Sequence, residues 1–446
     1  MFKMTDSAIE SSDPTITTTM VPSAIESSDP TITTTMVPSA IEPSESQISK
    51  LLRLPTEMKV KIFTFLDGES LIATASTCKQ LNTLIHGSEE SWKSVCLPIL
   101  LSSLPRDIPL SSAPYKSYRD LYLSLRTFAW FTPGIWHGNR DLLGSLYVSR
   151  YNHTTGHLEA HEIFCVHDRS AMLPYREWSL SPSVFVQDFQ PRIERSLTPV
   201  VKFSPRTEYG KNNEIPQPRS PRGMTTTFFH AAAILPERIV YPQMNLWPPQ
   251  LIPADDRTRN ESPTGFRGHV LHRMDASTNL FRLRRWISFT NADSHGVIMG
   301  ERVETISRLK HDLWTRDPEF PYRGVWIGDY ESHGGEFVLF HQPTKNRLEA
   351  IKLTGDPNVP RAEYSFVVDD LSHTERVCDE REWPGARVVA AQGHTAALNF
   401  TNNAFSPTQL ILISEDLVAH YWINLSRIKI FRRVNIEDLM RGGMGL

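Results

Sequence analysis

Cysteine is scarce: four in 446 residues, at 78, 96, 165 and 378, with no C-x-x-C pair. That spacing excludes a disulfide framework, argues against a zinc site, and fits reduced thiols. Long apolar runs are missing too, so no segment is long enough to span a bilayer, and no basic stretch followed by an apolar core marks a signal sequence near the start. Neither sign of charge dominates, with 47 basic against 50 acidic residues and a formal net charge of -3. Such a balance excludes a general nucleic-acid surface or a polybasic membrane surface. There is no P-loop, no Rossmann glycine pattern and no G-x-S-x-G elbow. The expectation is a soluble protein of the cytoplasm and/or nucleus that binds no nucleic acid, no membrane, no metal and no cofactor.

What is present begins with a repeat. SAIESSDPTITTTMVP at Ser7–Pro22 recurs at Ser23–Pro38, and a third copy starts at Ser39. Ser, Thr, Pro and acidic residues supply too little apolar surface to offset the entropy of ordering, so residues 1–48 read as a disordered tail.

Residues 50–101 read as a run of short helices. Pro55 suits a first helical turn and Glu57 suits its positive end, so a helix is expected from near Leu54. Met58, Ile62, Phe65 and Leu66 share one stripe along it. Asp67-Gly68 is expected to end this helix, and Leu71, Ile72 and Ala75 to lie on a second. Thr77 with Gln80 fits a capping box before a third, bearing Leu81, Leu84 and Ile85, and Ser88-Glu89-Glu90 opens a further turn carrying Trp92. Helices this short cannot bury every apolar face against one another, which leaves a ridge for a partner to cover. Leu54-Pro55, Glu57, Ile62-Phe63, Leu66, Leu71, Cys78, Leu81 and Trp92 stand in the order and spacing of an F-box, which this stretch resembles. That resemblance implies docking on a Skp1-type adaptor, and through it a cullin, by Leu54, Pro55, Met58, Ile62, Phe65, Leu66, Leu71, Leu81 and Trp92.

Ser102–Pro114 reads as a linker. Residues 115–131 follow as a helix, with Tyr118, Leu121, Tyr122, Leu125 and Phe128 at helical spacing for packing on the next domain. From residue 134 to about 440 the pattern becomes β, with runs such as GVWIGDY, GEFVLFHQP, YSFVVDDL and QLILIS between turn residues. The interval around 169–263 is rich in Pro and Arg and reads as an insertion whose strands, if any, lie at edges. The fold class is α+β: a small N-terminal helical unit followed by a mostly antiparallel β-barrel-like or sandwich domain.

Gly328, Tyr330, Ser332, His333, Gly334 and Glu336, then Thr354–Pro360 (TGDPNVP), and the closing strands to Val434 resemble the substrate-binding domain of the F-box only protein thirty-one family. That resemblance implies a non-catalytic receptor holding a protein substrate for ubiquitination and proteasomal degradation, by a C-terminal segment that can end in an amide. A buried Asp would accept from a terminal carboxamide and repel a carboxylate. Asp356 is the candidate, with Thr354, Asn358, His333 and Tyr330 as neighbours, while the plainer reading is that Asp356 caps its own turn.

Other constellations weigh less. His153, His157 and His161 would suit zinc on a helix, but a turn intervenes. Arg282, Arg284 and Arg285 beside Trp286 could meet a phosphorylated segment, or form a solvated face. A β-barrel enzyme or ligand-binding protein, and a non-degradative Skp1-bound scaffold, remain as different function classes.

Overall fold

Four of the helices are set by the capping residue before them, the last by Asn435 Oδ1, which accepts from Asp438 N at 3.1 Å. Asp67 Oδ1 accepts from Ser70 N at 2.8 Å, Ser88 Oγ from Ser91 N at 3.3 Å, and Ser117 Oγ from Asp120 N at 3.0 Å, each satisfying a donor that the first turn leaves free. The computed structural model describes residues 50–131, 133–167, 175–187, 189–203, 227–234, 246–259, 276–290, 297–330 and 333–446. The repeat at 1–48 and much of the Pro-rich interval lie outside them. The helices are α1 Thr56–Phe63, α2 Gly68–Ala75, α3 Lys79–Gly87, α4 Glu89–Ser103, α5 Tyr118–Leu125 and, near the end, α6 Ile436–Arg441.

Several local expectations are corrected. Pro55 precedes α1 in an extended conformation and does not occupy its first turn. Asp67-Gly68 opens α2 and does not close α1: Asp67 is the cap, and a side chain at Gly68 would lie 2.1 Å from Tyr122 Cζ, so the glycine serves a close approach. No box forms at Thr77, whose hydroxyl donates instead to Thr74 O at 2.7 Å, and α3 starts after Cys78 without a side-chain cap. Helix α4 passes through Pro98 and ends only at Ser103, so the expected linker starts inside it. The segment after it is held: Tyr118 OH donates to Leu110 O, and Tyr115 OH to Gly156 O at 2.6 Å.

From Gly134 the chain turns to strands, in which aromatic and β-branched residues dominate. They are β1 Gly134–Gly138, β2 Ser145–Asn152, β3 His157–His167, β4 Tyr175–Trp178, β5 Ser181–Gln187, β6 Pro191–Arg195, β7 Val201–Phe203, β8 Thr227–Ala233, β9 Leu246–Trp247, β10 Thr258–Arg259, β11 Leu280–Thr290 and β12 Val297–Arg308. Then come β13 Gly324–Asp329, β14 Gly335–His341, β15 Leu348–Lys352, β16 Tyr364–Val368, β17 Arg376–Val377, β18 Arg387–Ala397, β19 Thr401–Ser414, β20 Leu417–Trp422 and β21 Arg427–Arg433. One sheet runs β6-β3-β2-β1-β12-β11-β8, with β7 also on β3. The other runs β13-β14-β15-β16-β18-β19-β20-β21 and closes, because β21 pairs back onto β13. The protein is therefore α+β, with an eight-stranded antiparallel barrel.

The Pro-rich interval is less of an insertion than its composition implies. Its hairpin β4–β5 extends the barrel sheet, β5 lying parallel to β21, and Trp178, Val184, Val186 and Trp247 are core residues. Edge placement does hold for β4, β6 and β8. From Pro55 onward the chain forms one compact unit, with α4 packed on β2.

Three apolar clusters organise it. One joins α4 and α5 to the first sheet through Leu100, Leu121, Leu125, Trp136 and Phe281; the helix expected over 115–131 is an α-helix only over Tyr118–Leu125 and continues as a kinked 3-10 segment over Arg126–Phe131. A second lies between the first sheet and the outer wall of the barrel, with Ile135, Val148, Phe337, Leu339 and Ile351. Alternate positions, Val338 and Phe340, Leu348 and Ala350, Phe366 and Val368, fill the barrel interior. Arg282 is corrected by this packing. It is buried, donating to Arg259 O at 2.7 Å and to the Thr258 and Thr305 hydroxyls, and so belongs to no solvated basic face.

Trp92 ties the helical part together: its ring is buried, leans on Tyr122 at 5.5 Å, and its Nε1 donates to Ile85 O at 2.8 Å. Replacing Trp92 by Ala is expected to destabilise the helical region by about 3–5 kcal/mol, measured by denaturant unfolding followed with helix-sensitive circular dichroism.

Candidate functional site

Two places combine unusual exposure or burial. The first is the outer face of the short helices. Phe63, Leu71, Leu81, Ile85 and Trp92 are buried among themselves, whereas Met58, Ile62 and Phe65 are 53%, 38% and 81% exposed. Pro55 is exposed, and Leu54 and Leu66 are half-buried. Of the residues named for adaptor docking, Leu71, Leu81 and Trp92 are thus corrected: they hold the face up from within and cannot touch a partner across it. Short helices carry no long stripe from which inside and outside can be told apart in the sequence. The exposed set is a contiguous turn of α1 and the residues after it, with the Lys61 ammonium 5.9 Å from the Phe65 ring.

The second place is one end of the barrel. At the opposite end the Arg433 guanidinium lies over Trp326 at 5.0 Å and donates to Glu415 O at 2.9 Å and to Arg323 O and Pro321 O, filling the interior. At this end the inward positions become polar. Tyr330 follows β13, Glu336 is the second residue of β14 and in step with inward Val338, Lys352 ends β15, and Lys429 and His420 come from β21 and β20. Lys352 Nζ stands 2.9 Å from Glu336 Oε2, 2.6 Å from Asp356 Oδ2 and 4.2 Å from the centre of the Tyr330 ring. Tyr330 OH bonds Ser365 Oγ at 2.6 Å, and Lys429 Nζ approaches the same ring at 5.1 Å.

Asp356 takes the plainer role. Its Oδ1 accepts from Asn358 N at 2.6 Å and Val359 N at 2.8 Å, while Oδ2 is held by Lys352, so its acceptors are engaged. Gly355 allows the turn to close, since a side chain there would lie 2.2 Å from Arg361 N. Thr354 Oγ1 accepts from Phe337 N, and Asn358 Nδ2 donates to Ala396 O, binding the turn to β14 and β18. His333 is exposed on the hairpin, where Gly334 at φ +88° makes the tight turn; Ser332 lies outside the described residues. The structure therefore brings Tyr330 and Asp356 into one cluster, puts Thr354 and Asn358 beside it, and leaves His333 at the surface.

Lys352 was missed from the sequence, and Glu336 was named there only as a motif residue and not as part of the site. Burial pushes the Glu336 carboxyl up to about 8, the Lys352 charge offsetting this only in part and the Asp356 charge adding to it. Burial also acts to raise Asp356, but the Lys352 charge and hydrogen bonds to Lys352 and Val359 N outweigh it and hold the group down at about 2. His420, fully buried, is pushed down to about 3 by burial and by the Lys429 charge, and its Nε2 meets Thr408 Oγ1 at 2.8 Å. The signal for Glu336 was available: an acid in phase with the inward apolar residues of GEFVLF needs a buried partner.

Around this polar floor stand exposed apolar side chains, Leu398 at 61%, Ile423 at 40% and Leu425 at 55% on turns and Phe405 at 48% on β19. The 398–400 turn meets the Asp356 turn through Asn399 N to Pro357 O at 2.8 Å. Among the described residues no group of three His, Cys, Asp or Glu side chains is placed to hold a metal. His153 lies in a turn, His157 and His161 lie on β3, and His161 Nδ1 meets Ser196 O.

Comparison with known families finds two matches. Residues 51–98 match the F-box-like domain, and residues 306–438, which include the whole barrel, match the cyclin D1 binding domain. No curated protein matches the chain. The chain carries an F-box-like domain, and its C-terminal match agrees with the resemblance to the F-box only protein thirty-one family.

Because Glu336 titrates far above the ordinary carboxylate range in the folded state, the native protein holds a proton that the unfolded chain has released. Stability is then lost as pH rises from that range toward 8. Glu336→Gln removes this loss, so its melting temperature relative to the parent is expected to rise between about pH 6 and about pH 9, in paired thermal scans.

Proposed function

We propose that this chain is the substrate-recognition subunit of an SCF ubiquitin ligase. It docks on a Skp1-type adaptor, and through it a cullin, by Pro55, Met58, Ile62 and Phe65, and carries a protein substrate to a separately recruited ubiquitin-conjugating enzyme for proteasomal degradation. The observation that carries this reading is the exposure of Met58, Ile62 and Phe65 on a helical unit whose own core is already complete. An apolar face in that position has a large free energy of burial available to a partner, about 25 cal/mol per Å² covered. The F-box-like match over the same residues agrees.

The polar end of the barrel is the substrate site in this reading. The cyclin D1 binding match covers it, and a floor of paired charges inside a rim of apolar side chains suits the end of a peptide chain: main-chain polar groups enter, flanking side chains rest on the rim. The segment held is a substrate's C-terminus, which can end in an amide. Tyr330 and Asp356 contribute to the floor, and Thr354, Asn358 and His333 to its surroundings. The receptor contributes no chemistry of its own and works in the cytoplasm and/or nucleus.

Two variants separate the ends of the molecule. Pro55→Ala with Ile62→Ala is expected to lose Skp1 and cullin in affinity purification, by roughly tenfold or more, while substrates stay bound; recovery of neither adaptor with the parent chain overturns the reading. Leu398→Asp with Leu425→Asp is expected to do the reverse, retaining Skp1 and weakening capture of a cyclin D1 C-terminal peptide by about tenfold, read by fluorescence anisotropy.

A further inference from the structure

Strands β18 and β19 continue past their neighbours β16 and β20 as a two-stranded ribbon that turns at Leu398–Phe400. The two edges of this ribbon differ. Glu375 N donates to Val388 O at 2.9 Å, so the main-chain groups of Val388 point away from β19, and by alternation those of Gln392 and His394 do as well. That edge is satisfied along the ribbon: Asn358 Nδ2 donates to Ala396 O at 3.0 Å, and His394 Nδ1 meets Tyr364 O at 3.0 Å. Across the ladder Gln392 and His394 stand opposite Pro407 and Phe405, whose main-chain groups therefore point away from β18, toward the side of β20. Strand β20 pairs with β19 only from Gln409 onward, and the chain then turns off over Ile423–Leu425. Among the described residues, the N–H and C=O of Phe405 and the C=O of Pro407 have no main-chain partner in the protein. The Phe405 ring, stacked on His394 at 4.3 Å, is itself 48% exposed.

An open strand edge invites pairing, and proteins guard such edges with charge or cover them. Residues 401–407, TNNAFSP, hold no charged side chain, and Thr401, Asn402, Asn403, Ala404 and Phe405 are all exposed. The ribbon is also held in place, since Asn399 N donates to Pro357 O at 2.8 Å and so fixes its tip beside the Asp356 turn. We propose that this edge takes up the extended segment of the substrate that precedes its held chain end, as an added strand running parallel to β19. Strand β19 runs from the tip into the barrel, where Leu410 and Leu412 join the interior, so a segment entering the barrel by its C-terminus runs the same way. Phe405 N–H then donates to one peptide carbonyl, and the Phe405 and Pro407 carbonyls accept from peptide N–H groups two residues apart. The peptide side chain beside Phe405 rests on its exposed ring, which suits an apolar or β-branched residue. A second copy of this chain fits less well. The open groups end at Pro407 on one side and at the irregularity near Ala397 on the other, enough to align a peptide anchored in the barrel, whereas a stable dimer buries about 1,200 Å² or more.

The proposal rests on the barrel end being the substrate site, and the test separates the two. A fluorescein-labelled peptide copying the C-terminal residues of cyclin D1, and a series in which one peptide bond at a time is N-methylated, are titrated by anisotropy against the full chain bound to its Skp1-type adaptor. N-methylation removes a single donor. The expected result is a loss of about tenfold at two positions two residues apart, with little change at the residue between them. Phe405→Pro removes the donor on the open edge while leaving the ladder to β18 intact, so it is expected to weaken the unmodified peptide by about tenfold, against about threefold or less for Phe405→Ala, which keeps its N–H. The N-methyl series needs no variant and is read on the parent chain. Losses that do not alternate, or equal affinities for the parent and a folded Phe405→Pro, overturn the added strand while leaving the site intact. A parent that sediments as a dimer beside a monomeric Phe405→Pro gives the edge to a second copy and overturns the proposal as well. Failure of the unmodified peptide to bind the parent removes the substrate site itself, and the proposal with it.

Discussion

The pairing of β21 with β13 is the constraint on which the rest of the C-terminal structure depends. Trp326 stands opposite Arg433, Ile327 opposite Arg432, and Gly328 opposite Phe431, and by this short ladder an eight-stranded sheet becomes a barrel. Gly328 is required there, because a side chain would lie 2.3 Å from the Phe431 ring. Closure removes two edges that would otherwise invite pairing with other chains. It also defines an inside, so that alternate residues of every strand meet in one interior of limited width.

That interior is not uniform. Its middle is filled by Phe340, Phe366, Phe431 and aliphatic side chains, and one end is filled by Arg433, which satisfies itself on backbone carbonyls. At the other end polar groups replace apolar ones, and they are only partly matched. Lys352 neutralises one acid well and a second poorly, so one carboxyl group keeps its proton near neutral pH. An incompletely satisfied buried layer is expensive, and it lies beneath turns whose exposed side chains are apolar. Both features are unfavourable in the isolated chain.

The helical region shows the same economy at its surface. Its short helices commit Phe63, Leu71, Leu81, Ile85 and Trp92 to their own core, leaving nothing on their side to cover Met58, Ile62 and Phe65. Helix α4 then continues through Pro98 and packs on β2, joining the helices to the first sheet. Between two incompletely satisfied surfaces the first sheet is well filled: the face toward the helices is aromatic, and the face toward the barrel is aliphatic around Trp247.

Much of this was legible from residue order. The short helices after residue 50, a helix within 115–131, the strand character from Gly134 and a mostly antiparallel barrel-like or sandwich fold follow from periodicity and turn residues, which act locally, and the F-box spacing was legible as a resemblance. The TGDPNVP turn was legible as well, since Asp before Pro caps its own backbone. Burial was not. Leu71, Leu81 and Trp92 carry the same pattern as Ile62 and Phe65, and only packing between helices decides which face inward. Likewise Arg282 reads as part of a basic run until Thr258 and Thr305 surround it. The sequence by itself determined the elements, their order and the polar residues at strand ends, because those depend on neighbours a few positions away. Tertiary structure alone decided that Glu336, Lys352 and Asp356 share one charge balance, because that depends on three segments brought together when the barrel closes.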